Sequence, residues 1–178
     1  RFLREASITG QLEHPNVEPV YEIGAREDGT LYYTMKLVRG CTLAEEIQRI
    51  QADGSIDGAE KLARRLKLLD PFVAACQAIA YAHARGVVNR DLKSQNVMLG
   101  DFGETVVLDW GLAHARGQED PERDRFARHK TRPPRPVSAS TSDSALTLDG
   151  QVMGTPLYMS PEQAAGNVDE VDERSDVY

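Results

Sequence analysis

The chain is poor in cysteine. Only Cys41 and Cys76 occur among its 178 residues, in separate segments, which argues against a disulfide framework and fits a reducing compartment. Cys76 reads as a small apolar residue of a helix core. No apolar run approaches the ~20 residues needed to span a bilayer, and no signal-peptide pattern opens the chain. The four histidines, at positions 14, 83, 114 and 129, lack metal-ligand spacing, so none reads as a zinc ligand. Positive charge is outweighed: 21 Lys and Arg against 28 Asp and Glu leave a net charge of −7, which argues against non-specific nucleic-acid binding. Gly-x-Gly-x-x-Gly occurs nowhere. What remains, 40% hydrophobic and 28% charged, suits one globular domain with a sizeable core.

The informative stretch is Val87-Val88-Asn89-Arg90-Asp91-Leu92-Lys93-Ser94-Gln95-Asn96-Val97-Met98-Leu99. Two short apolar runs flank a polar loop, and runs buried in a small sheet hold such a loop rigidly at a surface. A carboxylate, an ammonium and an amide fixed together suit in-line transfer of a phosphoryl group. Asp91 can accept the proton of an attacking hydroxyl, Lys93 can neutralise phosphate charge, and Asn96 can hold a magnesium ion. Thr105 to Gly111 follows as an apolar strand ending in Asp109, a hard oxygen ligand, and Gly111, which permits a sharp turn. Gly154-Thr155-Pro156-Leu157-Tyr158-Met159-Ser160-Pro161-Glu162 closes the segment. Any one block alone reads equally well as turn residues between strands; three in register do not.

Together the three blocks resemble the catalytic loop, the Asp-Phe-Gly motif and the Ala-Pro-Glu motif of protein kinases. More narrowly, the chain resembles bacterial serine/threonine kinases of the eukaryotic-like type. Several roles are implied by that resemblance rather than by spacing. Glu5, on an amphipathic helix formed by Phe2, Leu3, Ala6, Ile8 and Leu12 and ended by His14-Pro15-Asn16, matches the ion-pairing glutamate. Its partner lysine and the Gly-rich loop would lie before Arg1, so the chain is expected to be a fragment. Two strands, from Pro19 to Gly24 and from Leu31 to Val38, are joined by an Asp-Gly hairpin turn. They place Met35 at the gatekeeper position and Lys36, Leu37 and Val38 where backbone groups bind adenine, with Met98 beneath the base. A short helix opens at Gly40-Cys41-Thr42-Leu43, with Glu45 or Glu46 near a ribose. A long helix runs from about Leu66 to His83 with Phe72, Ala75, Cys76, Ile79 and Ala80 as its apolar stripe, Pro71 near its start and Gly86 at its end.

There are departures from the family pattern. Asn89 replaces the histidine before Arg-Asp, Ser94 stands where proline is common, and Trp110 replaces phenylalanine. Residues 116 to 144 are rich in proline and charge with little to bury, which predicts an open loop. Lys130, Arg132 and Arg135 within it read as solvated charges. By resemblance this is a long activation segment in which phosphorylated Thr147 docks on Arg90, with Asp149 as a fixed negative charge. Thr155 matches the residue lying against the catalytic aspartate, and with Lys93 favours serine or threonine over tyrosine acceptors. Asp176 would brace the backbone around Arg90 and Asp91, while Glu162 would normally pair with an arginine of a later helix, which this stretch does not include.

The resulting expectation is an α+β, protein-kinase-like two-lobe fold truncated at both ends. Residues 1–38 form the remainder of the small lobe. Residues 39–178 form the first part of the helical lobe, with the catalytic loop at 87–99 and the activation segment at 109–162. The implied cofactors are ATP and Mg2+, and the implied partners are protein substrates with Ser or Thr acceptors, not nucleic acid. A cytoplasmic domain follows, with no membrane anchor visible. The alternative is a pseudokinase, a binding or scaffold module favoured by Asn89 and the missing lysine but opposed by intact Asp91, Asn96 and Asp109.

Overall fold

A computed structural model describes residues 2–115 and 156–178, apart from the side chains of residues 2–5, 156 and 168. The activation-segment residues Lys130, Arg132, Arg135, Thr147, Asp149 and Thr155 therefore lie outside the described residues, as does the side chain of Glu5.

Helix α1 (Phe2–Thr9) opens the chain. It stops before the His-Pro-Asn segment, with the Gly10 amide donating to the Ala6 carbonyl. Its Ala6 and Ile8, with Leu12 just beyond, turn inward and are buried. The stretch after it is stitched to a distant strand: Asn16 Nδ2 donates to the Thr105 carbonyl at 2.8 Å, and Val107 N donates to the Asn16 carbonyl. Strands β1 (Val20–Ala25) and β2 (Leu31–Met35) form an antiparallel hairpin. Gly29 supplies the left-handed residue of its turn, and Asp28 accepts the Thr30 amide. The second strand is shorter than the sequence suggests, ending at Met35; beyond it the Lys36 amide turns back to the Pro19 carbonyl.

Residues Gly40–Thr42 form strand β3, not the start of a helix. β3 pairs with β5 (Val97–Gly100), which pairs with β6 (Thr105–Val107), all antiparallel. Gly40 faces Gly100 so closely that a Cβ on it would strike the Leu99 carbonyl, which is why a side-chain-free residue is needed there. Helix α2 (Leu43–Ala52) follows directly. Thr42 caps it through a reciprocal box, its hydroxyl accepting the Glu45 amide while the Glu45 carboxylate accepts the Thr42 amide at 2.8 Å. Glu45 thus serves the cap, and that bond holds its carboxyl below its ordinary value. Glu46 pairs with Arg49.

The expected long helix is α4 (Leu69–Ala84), beginning three residues later than expected, and a separate helix that the sequence did not suggest, α3 (Gly58–Lys67), capped by Asp57, runs up to it. Pro71 explains the break between them. In an unbroken helix its ring would meet the carbonyl of Lys67 and one ladder bond would be lost. Restarting at Leu69 puts Pro71 in a first turn, where no amide is required. The buried stripe of α4 is also rotated from the expected one: Ala75, Ala78, Ile79 and Ala82 are buried, whereas Phe72, Cys76 and Ala80 are exposed. The helix is apolar nearly all round, so periodicity could not select a face. Its three alanines let the helix lie close against the strands.

Two further strands, β4 (Val87–Val88) and β7 (His114–Ala115), pair antiparallel. Helix α5 (Pro161–Ala164) and a 3₁₀ turn at Glu173–Asp176 complete the described elements near the site. One core joins these parts: Ile8 and Leu12, Val17, Leu43, the inward face of α4, and Val87, Val97, Val107 and Trp110. Helices and antiparallel strands mix along the chain, an α+β arrangement.

Candidate active site

The polar loop 89–96 is anchored at both ends by strands. β4 holds its start through β7, and β5 holds its end through β3 and β6. The chain that links β6 to β7 carries Asp109, so the same small strands position both halves of the site. The Leu108 amide donates to the Asn96 carbonyl at 2.8 Å, placing Asp109 one residue from that contact.

Within the loop, Lys93 Nζ lies 2.7 Å from Asp91 Oδ2. Asn96 Nδ2 donates to the Asp91 carbonyl at 3.0 Å and lies 3.5 Å from Oδ2. Asn96 thus commits its amide nitrogen to Asp91, which leaves Oδ1 as its oxygen donor. The Asp91 carboxylate is nearly buried and Lys93 mostly so, a setting in which an ion pair is screened far less than at a surface. Asp109 is exposed although its neighbours Val107 and Trp110 are fully covered. It takes a left-handed backbone conformation with φ 56°, and its Oδ1 accepts the Gly111 amide. Trp110 is the plug beneath it, its Nε1 donating to the Val107 carbonyl at 3.2 Å.

Arg90 is likewise left-handed at φ 71°. For a residue with a Cβ this costs about 1–2 kcal/mol, so the surroundings must enforce it. The enforcers come from far along the chain. Asp176 Oδ1 accepts the Arg90 amide at 2.7 Å, and Oδ2 accepts the Asn89 amide at 2.8 Å and lies 2.7 Å from His83 Nε2. Gln163 Nε2 donates to the Arg90 carbonyl at 2.8 Å. Asn89 adds a local support, its Oδ1 accepting the Asp91 amide at 3.1 Å in a short side-chain turn. The bracing expected of Asp176 is therefore present, at Asn89 and Arg90.

Further residues surround the loop. Glu162 meets Ser175 through a short hydrogen bond to the serine hydroxyl; no arginine of a later helix takes that place among the described residues. That contact is the main cause holding the Glu162 carboxyl below its ordinary value. Ser94 Oγ lies 3.1 Å from the Tyr158 hydroxyl, joining the loop to the segment after residue 155. Met35 and Leu37 are exposed, and Lys36 and Val38 are half-buried, all on the connection from β2 to β3. Met98 sits in β5 opposite Thr42 and Val106.

The structure thus unites Asp91, Lys93 and Asn96 directly and brings Asp109 beside them. It makes no hydrogen bond between that group and residues 35–38 among the described residues. Sequence reasoning missed His83, Gln163 and Ser175. A Ser-x-x-Gln capping pattern at Ser160–Gln163 was available as a signal for the cap, but not for the bond to Arg90.

The family described as Protein kinase domain matches residues 1–178. A serine/threonine-protein kinase PknD of Protochlamydia amoebophila is 38% identical over 182 residues, covering 100% of this chain and 17% of that protein. The protein of the same name from Chlamydia pneumoniae is 38% identical over 173 residues, covering 94% and 17%, and that from Chlamydia muridarum is 34% identical over 183 residues, covering 100% and 18%. The chain therefore spans less than a fifth of the length of these curated relatives. With the Asp91 loop, the Asp109 turn and the α5 segment assembled as described, and a family match along its whole length, the chain belongs to the protein kinase domain family.

Proposed function

We propose that the protein containing this chain transfers the γ-phosphate of ATP to serine or threonine hydroxyls of protein substrates. The observation that carries this reading is the contact group Asp91, Lys93 and Asn96, with Asp109 presented beside it. In this reading residues 1–38 belong to the small lobe and residues 39–178 to the helical lobe, with Glu5 on α1 orienting a lysine of that lobe. Residues 35–38 and Met98 frame the adenine.

The residues fit a magnesium ion held against nucleotide phosphates. Asn96 Oδ1 and the exposed Asp109 carboxylate are two hard oxygens, about the number that such an ion takes from protein when phosphates and water complete its shell. When bound, the ion neutralises charge on the phosphate oxygens. The chain's own groups do the rest. Asp91 orients the acceptor hydroxyl and takes its proton as the new O–P bond forms and the bond from the γ-phosphorus to the bridging oxygen breaks, with ADP as the leaving group. Lys93, held at the Asp91 carboxylate, places an ammonium where negative charge gathers on the transferred group. The braced loop keeps both from turning away, so the energy of alignment is spent in folding rather than at each turnover.

The test is Asp91→Asn in the full-length protein. Loss of turnover by about 10²–10⁴-fold with ATP binding retained is expected. Activity near that of the unaltered protein would overturn the assignment. An unaltered protein that binds ATP but transfers nothing would establish the pseudokinase alternative. Thr147 is proposed as the phosphosite that docks on Arg90, and phosphopeptide mapping of active protein that finds it unmodified would remove it. No helix among the described residues is long and apolar enough to cross a membrane. A cytoplasmic setting, where ATP is available, is part of the proposal.

A further inference from the structure

Gln163 makes a contact that its place in α5 does not require. Its side chain is 3% exposed and its amide is divided between two tasks. Oε1 accepts the Ser160 amide and hydroxyl, each at 3.1 Å, completing a capping box whose other half is the Ser160 hydroxyl accepting the Gln163 amide. Nε2 donates to the Arg90 carbonyl at 2.8 Å. The orientation of the amide is fixed by chemistry, since an amide N–H meets one end and a carbonyl oxygen the other. A capping box accepts glutamate as readily as glutamine, because it uses only the side-chain oxygen. Glutamate here would set a carboxylate oxygen against the Arg90 carbonyl oxygen. The cap therefore leaves the Nε2 donor unexplained, and the loop explains it.

The peptide that Gln163 holds is the one joining Arg90 to Asp91. Its carbonyl belongs to a residue kept left-handed at φ 71°, whose amide is held from the other side by Asp176. A single hydrogen bond and the cost of that conformation are of similar size, so losing the carbonyl tether lets the Arg90 peptide rotate and carries Asp91 with it. We infer that Gln163 is a positioning residue for Asp91, acting from α5 through the left-handed peptide of Arg90. This rests on the role of Asp91 given above. It also makes the α5 segment, at the far end of the activation segment, a direct mechanical support of the proton acceptor.

The experiment compares full-length protein with Gln163→Glu and Gln163→Met. Glutamate keeps the capping oxygen and replaces the donor by a charged acceptor; methionine keeps the bulk and removes both donor and capping oxygen without adding charge. Steady-state kinetics are measured alongside hydrogen exchange of the segment 88–93 and of α4. Gln163→Glu is expected to lower kcat by about 10- to 100-fold, the cost of a small misplacement. KM for ATP should change less than about twofold, because residues that hold nucleotide stay in place. Exchange in 88–93 should quicken by about fivefold or more, the equivalent of one hydrogen bond, with α4 unchanged. Unaltered kcat and loop exchange in Gln163→Glu would overturn the inference. So would loss of protection spread equally over α4, which marks a residue that only supports the fold. If the glutamate variant does not fold, Gln163→Met is read by the same two segments, and a fully protected loop there overturns it. Exchange is read without turnover, so an inactive unaltered protein would count against the kinase reading while a loosened loop in the variants would still establish the tether.

Discussion

The ammonium of Lys93 lies 2.7 Å from the carboxylate of Asp91, two residues before it in the loop, and both are largely withdrawn from water. The pair is therefore more than a surface ion pair, whose contribution is commonly below about 1 kcal/mol. Removing the cation leaves a nearly buried carboxylate short of a partner and, under the proposed function, a transferred group short of a charge.

Lys93→Met in the full-length protein should accordingly lower kcat by about 10²-fold or more, with little change in KM for ATP. Single-turnover kinetics with a peptide acceptor would separate the chemical step from product release. An unchanged chemical rate would show that Lys93 only orients Asp91 in the resting protein.

Asp176→Asn keeps the shape of the side chain and exchanges one acceptor oxygen for an N–H group. Three donors now converge on that carboxylate, from Asn89, Arg90 and His83. One of them must lose its partner, at a cost of about 1–3 kcal/mol. A lower Tm together with reduced kcat is expected, measured by calorimetry and steady-state assay. A variant with both unchanged would show that the loop holds its shape without this brace.

Trp110 is 1% exposed and its ring fills the core beneath Asp109. Trp110→Ala should destabilise by about 3–5 kcal/mol through the cavity it leaves. Trp110→Phe keeps an aromatic plug and loses the bond from Nε1 to the Val107 carbonyl, a loss of about 1 kcal/mol. Denaturant unfolding of both variants checks the ratio. Equal losses would mean that the hydrogen bond, not the ring volume, is what matters.

The Glu162 carboxyl is held below its ordinary value of 4.5, first by the Ser175 hydroxyl and then by backbone and Ser160 hydrogen bonds. A lowered folded value means that the charged form is favoured by folding. Its contribution to stability is complete above about pH 4.5 and is lost as pH falls through the lowered value. Ser175→Ala removes the largest cause, so stability near neutrality should fall by the full amount of that contribution, the difference should shrink as pH drops below about 4.5, and the acid unfolding midpoint should move to higher pH. An acid titration followed by circular dichroism reads this directly; an unmoved midpoint would remove Glu162 from the acid response.

Much of the site was legible because its chemistry is local. Asp91, Lys93 and Asn96 lie within six residues of one another, and the apolar runs on either side announced the strands that hold them. Asp109 was legible for the same reason, as an acid at a strand end before glycine. The contacts that shape the loop from outside were less so. Asp176 was expected only through the family, and His83 and Gln163 not at all, since nothing in a helix tail or a capping pattern says which distant carbonyl or carboxylate it will meet. The α4 face failed differently: a helix apolar on every side carries no period to read, and Cys76 consequently came out exposed rather than in the core. The β3 strand was hidden because three residues, two of them small, take their conformation from β5 rather than from their own propensity.

The brace on the loop has a bearing on how the molecule is made. Asn89 and Asp176 are 87 positions apart, and Arg90 and Asp176 are 86 apart. A ribosome adding about 5–20 residues per second emits the loop roughly 4–17 s before its anchor. During that interval Asn89 can form its own short turn with the Asp91 amide, but the left-handed Arg90 has neither of the two partners that hold its peptide. The shape of the loop is thus completed only once Asp176 has emerged, and a nascent chain carries Asp91 long before it can hold it in place.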